Sequence, residues 1–162
     1  MISSLSPRRL MLIAALGSAL LLGGAFVFQA FGYAPCKLCL WQRWPHAAAI
    51  LLGVIAVFRP LRAVAWLGAG AALLTAGFGI YHTGVERGWW EGPSSCTGNG
   101  AGVGGLSGAD LLSTDGPSNI VMCDEVAWAF AGLSMASWNA VLSLVLALIW
   151  VRAATRPARR PG

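Results

Sequence analysis

The chain has 162 residues, of which 57% are hydrophobic and 10% charged, with a net charge of +5. A soluble domain carries about 25% charged residues, and the mean hydropathy is +0.68, so lipid and not water is the solvent for most of the chain. The basic residues lie in short segments between apolar runs and not along one folded face, which excludes nucleic acid as a partner. The length makes residues 1–162 a single domain.

Four apolar runs follow in chain order, over residues 10–31, 42–58, 61–81 and 134–151. The first has no charged residue, and the third is interrupted only by Arg62. The second reaches a spanning length only if Gln42 and Arg43 enter the membrane. A spanning helix needs about 20 apolar residues, and lipid cannot satisfy free backbone groups. The expected fold is an all-α membrane protein, a four-transmembrane-helix bundle with a long, partly flexible periplasmic loop.

Orientation follows from the arginines. Arg8 and Arg9 precede the first span, Arg59 and Arg62 link the second to the third, and Arg152, Arg156, Arg159 and Arg160 follow the fourth. With four spans these share one side, which the positive-inside rule makes the cytoplasm. Both termini are then cytoplasmic, and residues 32–41 and 82–133 face outward with all six acidic residues. The first run is longer than a signal-peptide core and no small-x-small site closes it, so it is expected to stay as an anchor.

In the outward segment 82–133, the stretch Gly98–Gly108 reads GNGAGVGGLSG. It cannot bury enough apolar surface to order itself and is expected to be mobile. It lacks a phosphate-binding pattern. Residues 126–133, with Trp128 and Phe130, are expected to form a short helix in the membrane interface.

All four cysteines, Cys36, Cys39, Cys96 and Cys123, fall on the outward side, where disulfides persist in a bacterial cell. They allow three pairings. Cys36-Lys37-Leu38-Cys39 is a CxxC, a spacing that suits a redox-active pair because the resolving thiol is always at hand. A bridge across so short a loop removes little unfolded-state entropy, which favours reactivity over a structural role. A zinc site is disfavoured because only one CxxC is present, and no metal is expected. Cys39 lies near the N-terminus of the second span, where the helix dipole and Arg43 one turn on both favour a thiolate. Arg43 and Arg59 are 16 residues apart, about 24 Å along a helix, so Arg43 lies at or just below the outer boundary and is a functional candidate. His82 stands at the same level on the third helix, and His46 one turn inside Arg43. A cationic, hydrogen-bonding pocket formed by Cys39, Arg43 and His82 at the lipid boundary suits a lipid-soluble carbonyl acceptor such as a quinone.

The stretch Pro35-Cys36-Lys37-Leu38-Cys39-Leu40-Trp41-Gln42-Arg43 resembles the first outward loop of the DsbB-type disulfide bond formation proteins. Tyr81-His82 closing the third span, and Cys123 followed by Trp128 and Trp138, fit the same family, and the four-span layout from Leu10 to Val151 is similar throughout. In that family the DsbA–DsbB–quinone relay keeps the bacterial periplasm oxidising. The resemblance implies a multi-pass protein of the bacterial inner membrane that reoxidises a periplasmic thioredoxin-like oxidase of DsbA type. Cys96 would be attacked by the partner, Cys123 would be its pair, and electrons would pass to Cys36–Cys39 and from Cys39 to a quinone, ubiquinone or menaquinone, drawn from the membrane pool. Arg43 would lie beside the quinone, with His82 a second contact.

Two other readings compete. Vitamin K epoxide reductase-like proteins also combine a small bundle with a CxxC and loop cysteines, but there the quinone-facing CxxC sits in a later helix. A membrane scaffold with structural disulfides would have cysteines that resist mild thiols.

Overall fold

The computed structural model describes residues 5–93 and 122–157. Cys96 and the glycine-rich stretch 98–108 lie outside them. Four long helices form the molecule: α1 (Pro7–Ala30), α2 (Lys37–Phe58), α3 (Arg62–Glu86) and α4 (Met135–Thr155). Their starts follow from local chemistry. Ser6 caps α1 with Pro7 in its first turn, Cys36 caps α2 through its sulfur, and the Ser134 hydroxyl caps α4.

Each helix packs against two others, in the cyclic order α1, α2, α3, α4, as in an up-down-up-down bundle. The interior is built from small residues, among them Ala14, Ala56, Ala65, Ala69, Ala72 and Ala147, around Leu10, Met11 and Trp150. Large apolar side chains such as Leu16, Leu20, Leu51, Leu67, Leu74 and Leu148 point outward. This inverted distribution is that of a protein solvated by lipid, where close helix approach and not hydrophobic exclusion drives packing. A Cβ on Gly68 would lie 2.4 Å from the Trp150 ring, and one on Gly79 3.0 Å from Ala140, so these glycines set the close contact between α3 and α4. Gly70 and Gly77 face open space.

Helices α1, α3 and α4 are long and apolar enough to cross a membrane. The 22 residues of α2 match that length, about 33 Å, but its first two turns carry Lys37, Gln42 and Arg43. They are accommodated because Gln42 is buried against the other helices and Arg43 reaches the end of α1. Pro45 lies inside α2 and removes one ladder hydrogen bond. The neighbouring carbonyl of Gln42 accepts from the Thr75 hydroxyl at 3.1 Å.

The bundle has a basic end and a cysteine end. At the first, Arg62 Nε donates to the Ala154 carbonyl at 3.0 Å and Arg156 to the Leu5 carbonyl. At the second, residues 126–133 are not the interfacial helix expected. They contain the strand β1 (Ala129–Phe130), which pairs antiparallel with β2 (Leu133–Ser134). The link is Ala131-Gly132, both at positive φ (51° and 77°). Two left-handed residues in succession turn the chain into a tight hairpin and forbid a continuous right-handed helix. Trp138 Nε1 donates to the Phe130 carbonyl at 3.0 Å, and Trp128 packs on Phe28 of α1 with ring centroids 5.1 Å apart. The hairpin is thereby clamped between α1 and α4.

Candidate active site

At the cysteine end, the cap of α2 places the CxxC. The Cys39 backbone N–H donates to Cys36 Sγ at 3.2 Å, and the two sulfurs lie 2.9 Å apart as free thiols. Cys36 is buried and Cys39 partly exposed. This first turn precedes the apolar part of the helix. The Cys36 thiol donates to Cys39, which holds the Cys39 thiol below its ordinary range, and the backbone N–H bonding there adds to the effect. Arg43 lowers it further, as a smaller contribution. The same hydrogen bond, together with burial, pushes the Cys36 thiol up. Cys39 is therefore the thiolate of the pair.

His82, on α3, is buried with its Nε2 3.5 Å from Cys36 Sγ. Its ring also donates to the Cys123 backbone carbonyl. Its Nδ1 lies 2.9 Å from Gln42 Nε2, which donates as well to the Leu38 carbonyl. Gln42 Oε1 accepts from Asn139 of α4 at 2.7 Å, and Asn139 Oδ1 faces His46 Nε2 at 2.8 Å. A continuous polar chain thus runs from the sulfurs into the bundle. One turn beyond His82, Glu86 Oε1 lies 3.9 Å from the ring, and Glu86 accepts from the Ser134 hydroxyl.

Cys123 is fully buried and disulfide-bonded. It shares one buried cluster with Cys36, Leu38 and Val85, against which Cys39 and Tyr81 pack. Of the residues singled out from the sequence, Cys36, Cys39, His82 and Cys123 are thus gathered together. Cys96 lies outside the described residues. Arg43 turns away from the sulfurs towards α1. It donates to Gln29 Oε1 at 2.8 Å and to the Ala25 carbonyl at 3.4 Å, with its guanidinium 4.8 Å from the centre of the Phe26 ring. Gln42, Asn139, Thr75 and Glu86 were not singled out. Asn139, a polar residue in the middle of an apolar run, was the signal available.

A cavity of about 450 Å³ opens beside these groups. Leu20, Leu21, Phe28 and Trp128 supply apolar wall, and Cys36, Cys39, Arg43, His46, His82 and Asn139 its polar points. Two polar atoms on this wall, Arg43 Nε and His46 Nδ1, are buried without a partner among the described residues. An apolar cavity with a few convergent polar groups is the form of a small-molecule site, and the unpaired Arg43 Nε–H on its wall fits a flat apolar ligand bearing a carbonyl oxygen. The sulfurs and a ring nitrogen of His82 also lie within 4.8 Å of one another, three of the four donors that a structural zinc site uses.

The family model for the disulfide bond formation protein DsbB matches residues 7–153. The chain belongs to the DsbB family. It is 32% identical over 171 residues to disulfide bond formation protein B of Paracidovorax citrulli, covering 95% of this chain and 92% of that one. It is 30% identical over 160 residues to the protein of the same name from Polaromonas naphthalenivorans, covering 96% and 95%. No solved structure matches the chain. Membership makes this a helical membrane protein of disulfide bond formation, and the matched span takes in the CxxC, the polar chain and Cys123.

Proposed function

We propose that this DsbB-family protein is a quinone-dependent thiol oxidoreductase that reoxidises a periplasmic thioredoxin-fold oxidase of DsbA type. The observation that carries this reading is the meeting of Cys123 and the CxxC in one buried cluster beside an apolar cavity. Thiol exchange needs one sulfur to attack another directly, and that arrangement serves it.

The sequence of steps follows the chemistry of each sulfur. The partner's thiolate attacks Cys96 in the Cys96–Cys123 disulfide, and Cys123 leaves. Cys123 then attacks Cys36 in the oxidised CxxC, and Cys39 leaves as the thiolate that its surroundings favour. His82, with Nε2 on the side of Cys36, orients that sulfur. The partner's second thiol displaces Cys96 and leaves oxidised, Cys96 attacks Cys123 and frees Cys36, and the Cys36–Cys39 dithiol gives up two electrons and two protons as it closes again. A quinone bound in the cavity would supply the acceptor for both. Arg43 and the apolar wall of the cavity would hold that group and keep water from it.

The protein would lie in the bacterial inner membrane with the basic end and both termini cytoplasmic. The spans would be about 10–31, 42–58, 61–81 and 134–151, with the cysteines in periplasmic segments. Quinone reduction by the purified protein with a reduced DsbA-type partner tests the reading. Turnover is expected in the native protein and none in Cys39→Ser or Cys96→Ser, and normal turnover in either variant would refute the relay.

A further inference from the structure

The cavity wall below the sulfurs carries a group that the relay leaves unused. His46 is 3% exposed and lines the cavity. It follows Cys39 by seven residues on α2, about 10 Å deeper along the helix and on nearly the same face. Its Nε2 lies 2.8 Å from Asn139 Oδ1, and its Nδ1 is buried with no partner among the described residues.

The neighbours decide which ring nitrogen carries the proton. Asn139 Nδ2 donates to Gln42 Oε1 at 2.7 Å and to Thr75 Oγ1 at 3.2 Å. The Thr75 hydroxyl hydrogen is itself committed to the Gln42 carbonyl. Asn139 Oδ1 can only accept, so His46 Nε2 must donate. The neutral ring then presents Nδ1 as a bare acceptor. Arg43 contributes the opposite character. Each of its terminal nitrogens gives one N–H, to Gln29 Oε1 and to the Ala25 carbonyl, and its Nε–H has no partner among the described residues. The wall therefore offers N–H donors from Arg43 and one bare acceptor on His46.

A quinone has two carbonyl oxygens, both acceptors, and pairs with the donors alone. A hydroquinone has two hydroxyls, each able to donate and accept, and pairs with both. We infer that His46, held by Asn139, is a positioning residue that makes this cavity bind a hydroquinone more tightly than the corresponding quinone. This rests on the quinone reading above. No proton is transferred to His46: the hydroquinone keeps the two protons and two electrons released by the dithiol, and His46 accepts a hydrogen bond only. Favouring the reduced form raises the oxidising power of the bound couple against Cys36 and Cys39. A tenfold preference corresponds to about 30 mV for a two-electron couple.

The test is equilibrium binding in detergent, read by tryptophan fluorescence, in a Cys39→Ser background so that no electrons move. Decylubiquinone and its quinol, and a short-chain menaquinone and its quinol, are the probes. The ratio of quinone to quinol dissociation constants is expected to fall about tenfold in His46→Leu, since one buried hydrogen bond is lost. His46→Gln, whose amide can donate to Asn139 and accept from the ligand, is expected to restore most of it. If His46→Leu leaves the ratio unchanged, or weakens both forms equally while His46→Gln does the same, the inference fails and the relay stands. If the parent protein binds neither form of either probe, the quinone reading fails and takes this inference with it.

Discussion

Gln42 is the junction of the buried polar chain, and replacing it with leucine tests that chain at its centre. Its Nε2 is the hydrogen-bond partner of His82 Nδ1 at 2.9 Å, and its Oε1 that of Asn139 at 2.7 Å. Leucine fills a similar volume, so loss of packing is small and loss of hydrogen bonds dominates. Asn139 keeps Thr75 and His46, whereas His82 Nδ1 is left buried and unpaired. An unpaired buried group costs about 1–3 kcal/mol, but hydrogen bonds between membrane helices average only about 0.6 kcal/mol because the unfolded chain in lipid finds other partners. The predicted destabilisation is therefore about 1–2 kcal/mol, read as a lower thermal midpoint in detergent. The functional effect is larger than the loss of stability. Gln42 donates to Nδ1 and so keeps the His82 proton on Nε2, facing Cys36. Without that bond the ring is anchored only by the Cys123 carbonyl, and dithiol-dependent quinone reduction should slow about tenfold at temperatures where the variant is fully folded. Gln42→Leu with native turnover and a native midpoint would refute the claim that this chain orients His82.

Other expectations follow from single contacts. Cys39 should alkylate at lower pH than an ordinary thiol, and faster than Cys36, because hydrogen bonding lowers the one thiol and raises the other; equal rates across a pH series of iodoacetamide labelling, resolved by peptide mapping, would contradict this. Arg43→Ala should raise the KM for quinone more than it lowers kcat, and an unchanged KM would remove Arg43 from the site. Gly68→Leu should destabilise the bundle by about 1–3 kcal/mol through overpacking against Trp150, measured as a fall in thermal midpoint, with no fall if Trp150 moves freely aside. Gly132→Val should cost about 1–2 kcal/mol at its positive φ of 77°, and a stability equal to the native protein would show that the turn is not held in that conformation.

The helices were legible because apolar runs between arginines leave a chain in lipid few alternatives. The placement of the CxxC at the start of α2 was legible too, since it abuts the run that becomes the helix. The hairpin was not. It depends on Ala131 adopting a left-handed conformation, which alanine composition does not announce, while Trp128 and Phe130 suggest an interfacial helix equally well. Arg43 was expected to share a pocket with Cys39 and His82, and it lines one cavity with them, but its hydrogen bond to Gln29 of α1 was not foreseen. Side-chain direction depends on which helix lies alongside, and no local pattern encodes that. Gln42 and Asn139 were visible as polar residues in apolar runs, but their pairing across 97 positions in sequence requires the register of α2 against α4.

Everything in the proposed relay depends on Cys123 reaching Cys36. Protein carrying both Cys39→Ser and Cys96→Ser keeps only those two thiols, and mild oxidation followed by peptide mapping measures their reach. The account predicts a Cys36–Cys123 cross-link in good yield within the folded protein. Two thiols that stay unlinked and open to alkylation would contradict it.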